Sequence, residues 1–440
     1  MRSSKLAVIA VATLLLGAGC GGSGGKGTST GGASGGSAAA NGPVSVEFLS
    51  VQQPTDNWPT VLTKLMDGFA KERPGSTLKN TYVQQTDLDQ KLQLLGAQNA
   101  LPELFNAPNT PAAQAQMGRS GQALDLEPAL TQLGVFDKLD PAAVSVIKQL
   151  EGGKLYALPF ELNIEGIWYN KKIFADNAIT PPATWDDLVT AATTLNGKGV
   201  VPFAAAGVDG WPITRLVGDY IVRLAGPDAL KKVADGQAKL TDEPYLKGAQ
   251  AVADLGAKGF FGKGVASQDY QAAEDLFLRG KAAMFYMGSW AVGDFNDPAK
   301  NKIGADSIGF MPFPAVAGGA GTAEQTPMNA GLPTMVSAKK YNPATTGEWL
   351  KYMVGNYGDT ALAERGMVTG FKVANPPASV PAMTKLVQDQ IAATKDPVLW
   401  FEALFTAKAT SVAQKGAAPL VTGGMSPQDF MSAVQDALNG

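Results

Sequence analysis

The sequence predicts an α/β protein of two domains, in which mainly parallel sheets are flanked by helices. Two observations support this fold class. About 400 residues follow a glycine-rich N-terminal segment, and this length exceeds that of a typical single domain. From residue 44 onward, strand-like runs alternate with segments of helical periodicity. That order is typical of parallel strands connected by helices on both faces of the sheet.

The first three predicted elements occupy residues 44–83. Residues 44–50 begin with alternating apolar and polar side chains, which indicates a strand. The next segment carries apolar residues at helical spacing, and the Pro74-Gly75 pair predicts where that helix ends. Residues 77–83 are predicted to form the second strand.

A second helix and a third strand complete the initial βαβαβ pattern. Thr86 and Asp89 have the spacing of a capping box, which predicts the start of a helix. Apolar residues continue along one face of this helix, and residues 101–105 are predicted to form a short strand.

The N-terminus has the pattern of an export signal that ends at the only cysteine, Cys20. Arg2 and Lys5 precede an apolar run over residues 6–16, which is too short to span a membrane and is typical of a signal peptide over residues 1–19. The position of Cys20 resembles a lipobox, in which the thiol is acylated and becomes the mature N-terminus. Gly17 departs from this pattern, because a leucine or similar residue is preferred three positions before the cysteine. An ordinary signal peptide with an incidental cysteine is the alternative.

Residues 20–42 are predicted to form the lipidated cysteine and a flexible tether. Residues 21–42 contain ten glycines and four serines, and Lys26 carries their only charge. A segment of this composition buries little apolar surface and remains flexible. We therefore expect an extracytoplasmic protein that is lipid-anchored to the outer face of the bacterial cell membrane.

The composition excludes several classes of function. The chain contains no histidine, and its only cysteine is assigned to the anchor. This excludes histidine-assisted triads, cysteine nucleophiles and zinc sites built from histidine or cysteine. We expect no cofactor and no metal ion. A formal net charge of −3 without a basic run argues against a nucleic-acid partner, and we expect a monomer.

Short motifs along the body carry a family resemblance. They are residues 153–160 (GKLYALPF), 167–174 (IWYNKKIF), 181–188 (PPATWDDL), 277–284 (FLRGKAAM) with 288–290 (GSW), 348–352 (EWLKY) and 424–428 (GMSPQ). In this order, the chain resembles the family 1 extracellular solute-binding proteins of ABC importers over nearly everything after the tether.

The resemblance implies a periplasmic-binding-protein-like fold, in which two α/β lobes are joined by a multi-strand hinge and close on a ligand. It implies that the chain crosses between the lobes more than once. The first lobe is expected over residues 43–159 with about 310–358, and the second over 160–309 with about 359–440. The implied function is the capture of a neutral carbohydrate, a mono- or oligosaccharide, and its delivery to the membrane subunits of an ABC permease.

Most residues in these motifs have a structural interpretation. Thr184 and Asp187 form a second predicted capping box. We expect Trp168, Trp185 and Trp349 to lie in the core, because each belongs to an apolar strand or helix. Gly280 is expected to end a helix in the left-handed conformation.

Candidate ligand-binding residues follow the predicted strands, because ligands of open parallel sheets bind beyond the carboxyl ends of the strands. After the strands that end at residues 50, 160, 205 and 287, these candidates are Gln52, Gln53, Trp58, Glu161, Asp209, Trp211 and Trp290. Trp211 is expected in a loop between Gly210 and Pro212.

Two further candidates lie later in the chain. Asn329 precedes a predicted strand that returns to the first lobe. Trp400 is expected to open a helical segment near the C-terminus. By resemblance, its place matches an aromatic residue that closes over the sugar in this family.

These residue types suit a carbohydrate. Indole faces cover the C–H faces of sugar rings, whereas carboxylates and amides exchange hydrogen bonds with hydroxyl groups. A micromolar dissociation constant requires about 8 kcal/mol, and three covered indoles at about 2 kcal/mol each would supply most of it. The sequence shows no cluster of arginines or acidic residues near these loops, which favours an uncharged ligand.

Structural and functional alternatives remain at this point. Each candidate residue has a structural reading: the tryptophans as packing residues, and Glu161 as a hinge residue or the partner of a lysine. The chain as a whole also fits a secreted glycoside hydrolase, with Glu161 and Asp209 as its acid and base. A third reading is a binding protein for another solute, such as a polyamine, an iron complex or an oxyanion.

Overall fold

The computed structural model describes residues 42–331 and 333–440. The predicted signal peptide, Cys20 and most of the tether lie outside these residues. None of the helices within the described ranges has the length and hydropathy needed to cross a membrane.

The described residues form two sheets and the helices that cover them. The strands are β1 Ser45–Ser50, β2 Thr77–Tyr82, β3 Leu104–Asn106, β4 Ala157–Leu158, β5 Asn163–Asn170, β6 Val201–Ala204, β7 Ala282–Gly288, β8 Ile308–Met311, β9 Gln325–Asn329, β10 Thr334–Val336 and β11 Asp396–Val398. The helices of the first half are α1 Asn57–Glu72, α2 Gln85–Ala97, α3 Pro111–Arg119, α4 Leu126–Gln132, α5 Pro141–Leu150, α6 Lys171–Asp176, α7 Trp185–Gly197 and α8 Trp211–Ala225. The remaining helices are α9 Ala229–Ala234, α10 Glu243–Ala257, α11 Tyr270–Leu278, α12 Val292–Asn296, α13 Thr346–Arg365, α14 Ala382–Ala393, α15 Ala407–Thr422 and α16 Pro427–Asn439.

The first sheet has the strand order β2-β1-β3-β10-β4. Strand β1 pairs in parallel with β2 and β3, as the βαβαβ pattern predicts. Strand β10 pairs antiparallel with β3 and β4. The carboxyl ends of β1, β2 and β3 therefore meet at one edge of this sheet.

The second sheet has the order β11-β9-β5-β7-β6, and β8 also pairs with β5. Strand β5 is antiparallel to β7, β8 and β9, whereas the pairs β6–β7 and β9–β11 are parallel. The α/β fold class is confirmed, but the sheets are mixed rather than mainly parallel. The antiparallel pairs all involve β5 or β10, the strands that follow the passage of the chain from one sheet to the other.

The chain passes between the sheets at three places. It enters the second sheet from β4 to β5, returns from β9 to β10, and enters the second sheet again before β11. The return comes at β10 rather than near residue 310, because β8 and β9 both pair with β5.

The three tryptophans that were expected in the core are buried, which confirms their interpretation. Trp168 and Trp349 are fully buried. Trp349 meets the Phe69 ring edge-on at 5.5 Å between centroids, which packs α13 against α1. Trp185 stacks on Phe313 at 5.5 Å. Aromatic pairs of this kind add about 1 kcal/mol each beyond the area that they bury.

The helix ends agree with the sequence in three of four cases, including α1, which ends at Glu72 just before Pro74-Gly75. Thr184 accepts a hydrogen bond from the Asp187 backbone N–H (3.2 Å), as the capping box predicts. Gly280 follows α11 with φ of +67°, a conformation that costs glycine little. The predicted start at Thr86 was wrong: α2 already begins at Gln85, and Gln84, whose backbone is extended, is the residue before it.

Glu151 is a buried carboxylate that should make stability depend on pH. Its side chain is 2% exposed and accepts a hydrogen bond from the Tyr156 backbone N–H (2.6 Å). Burial raises the pKa of Glu151 from 4.5 to about 8. Between these two values the folded protein keeps a proton that the unfolded chain releases, so stability should fall as pH rises, by about 1.4 kcal/mol per pH unit.

Replacing Glu151 with glutamine should remove this contribution and flatten the dependence of the unfolding free energy on pH. Urea titrations across that pH window measure the change. Glu72→Gln, which alters an exposed glutamate of α1, is the matched control. An identical pH slope for Glu151→Gln and the wild type would contradict the assignment.

Candidate functional site

A cleft of about 530 Å³ lies where the strand ends of the two sheets face each other. Loops that follow β1, β2 and β3 supply one wall, and segments that follow β6, β7 and β11 supply the other. Its lining residues are Gln52, Asn57, Trp58, Gln85, Asn109, Thr110, Pro111, Glu161, Trp211, Arg215, Trp290, Asn329, Gly331, Trp400, Glu402, Thr410 and Gln414.

The wall from the first sheet is mostly polar, and its amides are tied to helix starts. The Gln52 side chain accepts a hydrogen bond from the Trp58 backbone N–H (2.8 Å) at the start of α1. The Asn109 side chain donates to the Gln85 backbone carbonyl (3.0 Å), which joins the loops after β3 and β2. These contacts fix amide groups at the cleft before any ligand arrives.

The opposite wall is aromatic. The rings of Trp211 and Trp290 meet edge to face, with centroids 5.6 Å apart. The Arg215 guanidinium lies 5.6 Å from the centroid of the Trp211 ring and 5.2 Å from that of Trp400. Arg215 thus links the two tryptophans that it contacts, and all three indoles are only partly buried. We refer to Trp211, Trp290 and Trp400 as the aromatic wall.

Gly288 sets the position of Trp290. A Cβ atom on Gly288 would lie 2.0 Å from the Trp290 ring, closer than atoms can approach. The ring can therefore fold back over the end of β7 only because residue 288 has no side chain.

Arg215 is held between two buried carboxylates. Its Nε donates to Glu165 Oε2 at 2.9 Å, and one terminal nitrogen donates to Glu402 Oε2 at 2.5 Å. The arginine side chain is 12% exposed, and both glutamates are buried. Burial lowers the pKa of Arg215, but the two carboxylates outweigh it, and the net shift is upward. Arg215 is therefore a permanent cation that its own chain neutralises.

The remaining oxygens of these carboxylates are also satisfied. Glu402 accepts a hydrogen bond from the Thr214 hydroxyl group, and Glu165 Oε1 accepts one from Asn329 Nδ2 at 2.8 Å. Burial raises the pKa of Glu402, against the opposing influence of Arg215. The network joins α8, β5, β9 and the segment after β11.

Glu161 lies between the two sheets, next to the aromatic wall. Its carboxylate accepts hydrogen bonds from Trp58 Nε1 (2.6 Å) and Asn163 Nδ2 (3.2 Å). Burial raises the pKa of Glu161, and these two hydrogen bonds oppose the increase. Trp58 is only 2% exposed, so it orients Glu161 rather than offering a face for stacking.

Seven of the nine predicted ligand-binding residues line this cleft, namely Gln52, Trp58, Glu161, Trp211, Trp290, Asn329 and Trp400. Gln53 and Asp209 are not among the described residues that line it. Gln53 is exposed, and Asp209 accepts a hydrogen bond from the Tyr270 backbone N–H (2.7 Å) at the start of α11. This contact gives Asp209 a structural role at the start of α11.

The local structure around two of the tryptophans differs from the prediction. Trp211 is the first residue of α8 rather than a loop residue, because Gly210 turns the chain with φ of +73° and Pro212 suits a first helical turn. Trp400 lies in the segment between β11 and α15 and does not open a helix. That helix begins at Ala407, where Thr406 accepts a hydrogen bond from the Ala409 backbone N–H (3.2 Å).

Several cleft residues were not predicted. Gln85 and Asn109 follow β2 and β3, so the strand-end rule would have found them if it had been applied to every strand. Arg215 lies four residues after Trp211, one helical turn along α8, and this spacing was a usable signal. Glu165 and Glu402 gave no signal, because only the fold brings them to Arg215. The expectation that no charged cluster lies near these loops was therefore wrong.

The described residues contain no group of three or more acidic, histidine or cysteine side chains that could hold a metal ion. The lining of the cleft offers amides, carboxylates, threonine hydroxyl groups, one arginine and the aromatic wall.

Comparison with known proteins agrees with this architecture. The family model of the bacterial extracellular solute-binding proteins matches residues 53–358. An uncharacterized ABC transporter extracellular-binding protein of Pyrococcus horikoshii is 26% identical over 266 residues, which cover 58% of this chain and 57% of that protein. The alignment thus spans little more than half the length of this relative.

Two further proteins align with this chain over a larger share of their own length. A multiple sugar-binding protein of Streptococcus mutans is 25% identical over 325 residues, which cover 70% of this chain and 71% of that protein. The solved structure of a chitin oligosaccharide binding protein superposes with a TM-score of 0.78 and 29% identity, covering 90% of this chain and 98% of the other. Since the family model matches well over half of the sequence, the chain belongs to the family of bacterial extracellular solute-binding proteins.

Proposed function

We propose that this protein is the substrate-binding component of an ABC-type importer, which captures a neutral carbohydrate and delivers it to the membrane subunits of a permease. The aromatic wall is the observation that carries the proposal. Three partly exposed indoles in one cleft, opposite a wall of amides, match the two chemical sides of a sugar, its C–H faces and its hydroxyl groups.

The charges of the cleft favour a ligand without net charge. Arg215 is neutralised by Glu165 and Glu402, so it offers no unbalanced cation to an anionic ligand. A polyamine would need several ionised carboxylates, whereas Glu165 and Glu402 are already paired and burial raises the pKa of Glu161. Glu161 lines the cleft with one hydrogen bond to each carboxylate oxygen, so it can still accept hydrogen bonds from hydroxyl groups.

The relatives support the same class of ligand. One is described as a multiple sugar-binding protein, and the structure that superposes at 29% identity is described as a chitin oligosaccharide binding protein. Because the sequence identities are low, we propose for this chain only the class of ligand, a neutral saccharide.

A thermal-shift screen tests the proposal. A ligand that binds only the folded state raises the melting temperature. The increase grows with the ratio of the ligand concentration to the dissociation constant. We expect at least one neutral mono- or oligosaccharide to raise it, while spermidine, ferric citrate and phosphate do not. A shift with a charged solute alone would contradict the proposal.

We propose binding without catalysis. The hydrolase alternative used Glu161 and Asp209 as its pair of carboxylates, but only Glu161 belongs to the described lining of the cleft. Glu402, the other glutamate of the lining, is held by Arg215 and Thr214. Incubation with the bound sugar should therefore yield no cleavage product by chromatography.

We propose that the two lobes close on the ligand, each lobe comprising one sheet and the helices that cover it. The cleft draws its walls from both sheets, so closure would increase the contacts with a bound sugar. Small-angle scattering should show a smaller radius of gyration with saturating sugar. An unchanged profile, with binding confirmed in the same sample, would contradict closure.

We also propose that Cys20 anchors the protein to the outer face of the membrane, as a monomer. The signal-like residues 1–19 and the glycine-rich tether support this proposal. Wild-type protein should partition with membranes, and Cys20→Ser should release it into the soluble fraction. Wild-type protein found only in the culture fluid would contradict the lipid anchor.

A further inference from the structure

Tyr270, the first residue of α11, contacts two members of the aromatic wall. Its ring stacks on that of Trp211, with centroids 6.3 Å apart. Burial raises the pKa of Tyr270 well above its usual value, and a hydrogen bond from the Trp290 side chain opposes the increase. The contact of its backbone N–H with Asp209 fixes the first turn of α11. Tyr270 is therefore a neutral phenol that lies against both indoles.

Glu274 lies one helical turn after Tyr270 and is fully buried. Its Oε1 accepts a hydrogen bond from the Tyr270 hydroxyl group (3.3 Å), and its Oε2 accepts one from the Gln271 side chain (3.0 Å). The carboxyl group of Glu274 also forms a hydrogen bond with that of Asp294 on α12. Two carboxyl groups can bond in this way only when one of them carries a proton. A shared proton therefore joins α11 to α12.

A lysine decides which of the two groups keeps this proton. Lys300 Nζ lies 2.7 Å from an oxygen of Asp294, and it is also attracted by Asp297. The lysine stabilises the ionised form of Asp294, so the proton stays on Glu274. Burial, together with the charge of Asp294, raises the pKa of Glu274 from 4.5 to about 7.

The other charged groups around this pair have partners of their own. Strands β6 and β7, which pack against α11, carry no charged side chain. The paired groups on the neighbouring helices are Asp275 with Arg279 on α11, Lys385 with Asp389 on α14, Glu364 with Lys64, Arg365 with Thr60, and Asp269 with the Ala272 backbone N–H. Burial, Asp294 and Lys300 therefore set the protonation of Glu274.

Loss of the shared proton would disturb the aromatic wall. Two ionised carboxylates in contact repel each other, and the buried position of Glu274 leaves little water to screen the repulsion. Asp294 lies four residues after Trp290, in the helix that follows it directly. Repulsion between α11 and α12 would therefore move Trp290 away from Tyr270, and the indole face that a sugar covers would lose its support.

We propose that Glu274 and Asp294 are positioning residues of the aromatic wall: the proton that they share holds Tyr270 and Trp290 together, and sugar binding weakens when the pair loses it. This inference rests on the proposed function and adds a dependence on pH to it. The protein would then capture sugar best in acidic to neutral surroundings.

The experiment measures dissociation constants at pH 6 and pH 8 by calorimetry, with chitin and xylan oligomers of two to five units as probes. If bound sugar raises the pKa of Glu274 by about one unit, the dissociation constant rises about fivefold between these pH values. About 0.4 proton is then taken up for each sugar bound at pH 7. Titrations in two buffers with different enthalpies of ionisation measure this uptake.

Glu274→Gln provides the direct comparison, because its amide keeps the shape of the protonated acid and cannot ionise. Its dissociation constant should be the same at pH 6 and pH 8. Asp294→Asn removes the repulsion from the more exposed member of the pair, so it should also reduce the change, and it serves if Glu274→Gln fails to fold. Asp275→Asn is the matched control on the same helix and should keep the fivefold change.

The variants carry the test because other groups titrate in the same range. The chain has no histidine, but burial raises the pKa of Glu151 to about 8 and that of Asp219 to about 7. A change that persists equally in Glu274→Gln and Asp294→Asn, or that is absent from the wild type, refutes the inference while the sugar-binding function stands.

Tryptophan fluorescence without sugar gives an independent measurement. Emission of the wild type should change between pH 6 and pH 8, because Trp290 moves, and emission of Glu274→Gln should change much less. Equal changes in both proteins would contradict the role of the pair. If no oligomer binds any folded variant, as checked by melting curves, the proposed function and the inference that rests on it both fail.

Discussion

Replacing Trp290 with alanine should weaken sugar binding about thirtyfold, because covering one indole face contributes about 2 kcal/mol. Trp290 lines the cleft and its ring is only partly buried, so a ligand bound in the cleft can cover one face of it. Its folding stability should change far less, because the ring is only partly buried and Gly288 lets it lie at the end of β7 without a clash. Calorimetry and melting curves on the same preparations measure both quantities.

Trp185→Ala is the matched control for this substitution. Trp185 is buried against Phe313 and Tyr220, so its truncation should cost about 3–5 kcal/mol of stability. Affinity should be retained in the fraction that folds, because Trp185 does not line the cleft. Trp290→Ala that binds normally but melts far lower would assign Trp290 to the core and refute the aromatic wall.

Replacing Arg215 with methionine should lower the free energy of unfolding by about 3–5 kcal/mol, the largest effect on stability that we expect near the cleft. The substitution keeps an extended apolar stem between Trp211 and Trp400 but removes the cation that neutralises Glu165 and Glu402. Two buried carboxylates would then lie together without a counter-charge. Urea titrations measure the loss.

The pH dependence of this defect follows from the same charges. Without Arg215 the pKa of Glu402, already raised by burial, should rise further, so the folded variant binds protons that the unfolded chain releases. The stability deficit should therefore be smallest in acid and grow between about pH 5 and pH 8. Adding Glu165→Gln and Glu402→Gln should recover most of the loss, and Arg215→Lys should fall between the wild type and Arg215→Met. Equal stability of Arg215→Met and the wild type at every pH would contradict the network.

The sequence predicted helix ends correctly where they depend on interactions within a few residues. The Pro74-Gly75 stop, the Thr184 cap and the left-handed Gly280 depend on contacts within one turn, and the structure has all three. The start of α2 was misplaced: the helix begins at Gln85, and no side chain caps its first turn.

The strand-end rule located most of the cleft, because the carboxyl ends of parallel strands place the residues that follow them at one edge. It found Gln52, Glu161, Trp211 and Trp290 from their positions alone. It also selected Asp209, which follows a strand but turns to the backbone of α11. Sequence position specifies the edge of a sheet but not the direction of a side chain there.

The sequence by itself determined the fold class and the aromatic character of the cleft. Only the tertiary structure decided that Arg215 lies between Glu165 and Glu402. The physical reason is the range of the interactions. Periodicity and turns act between neighbours along the chain, whereas Glu165, Arg215 and Glu402 meet only because β5, α8 and the segment after β11 pack together.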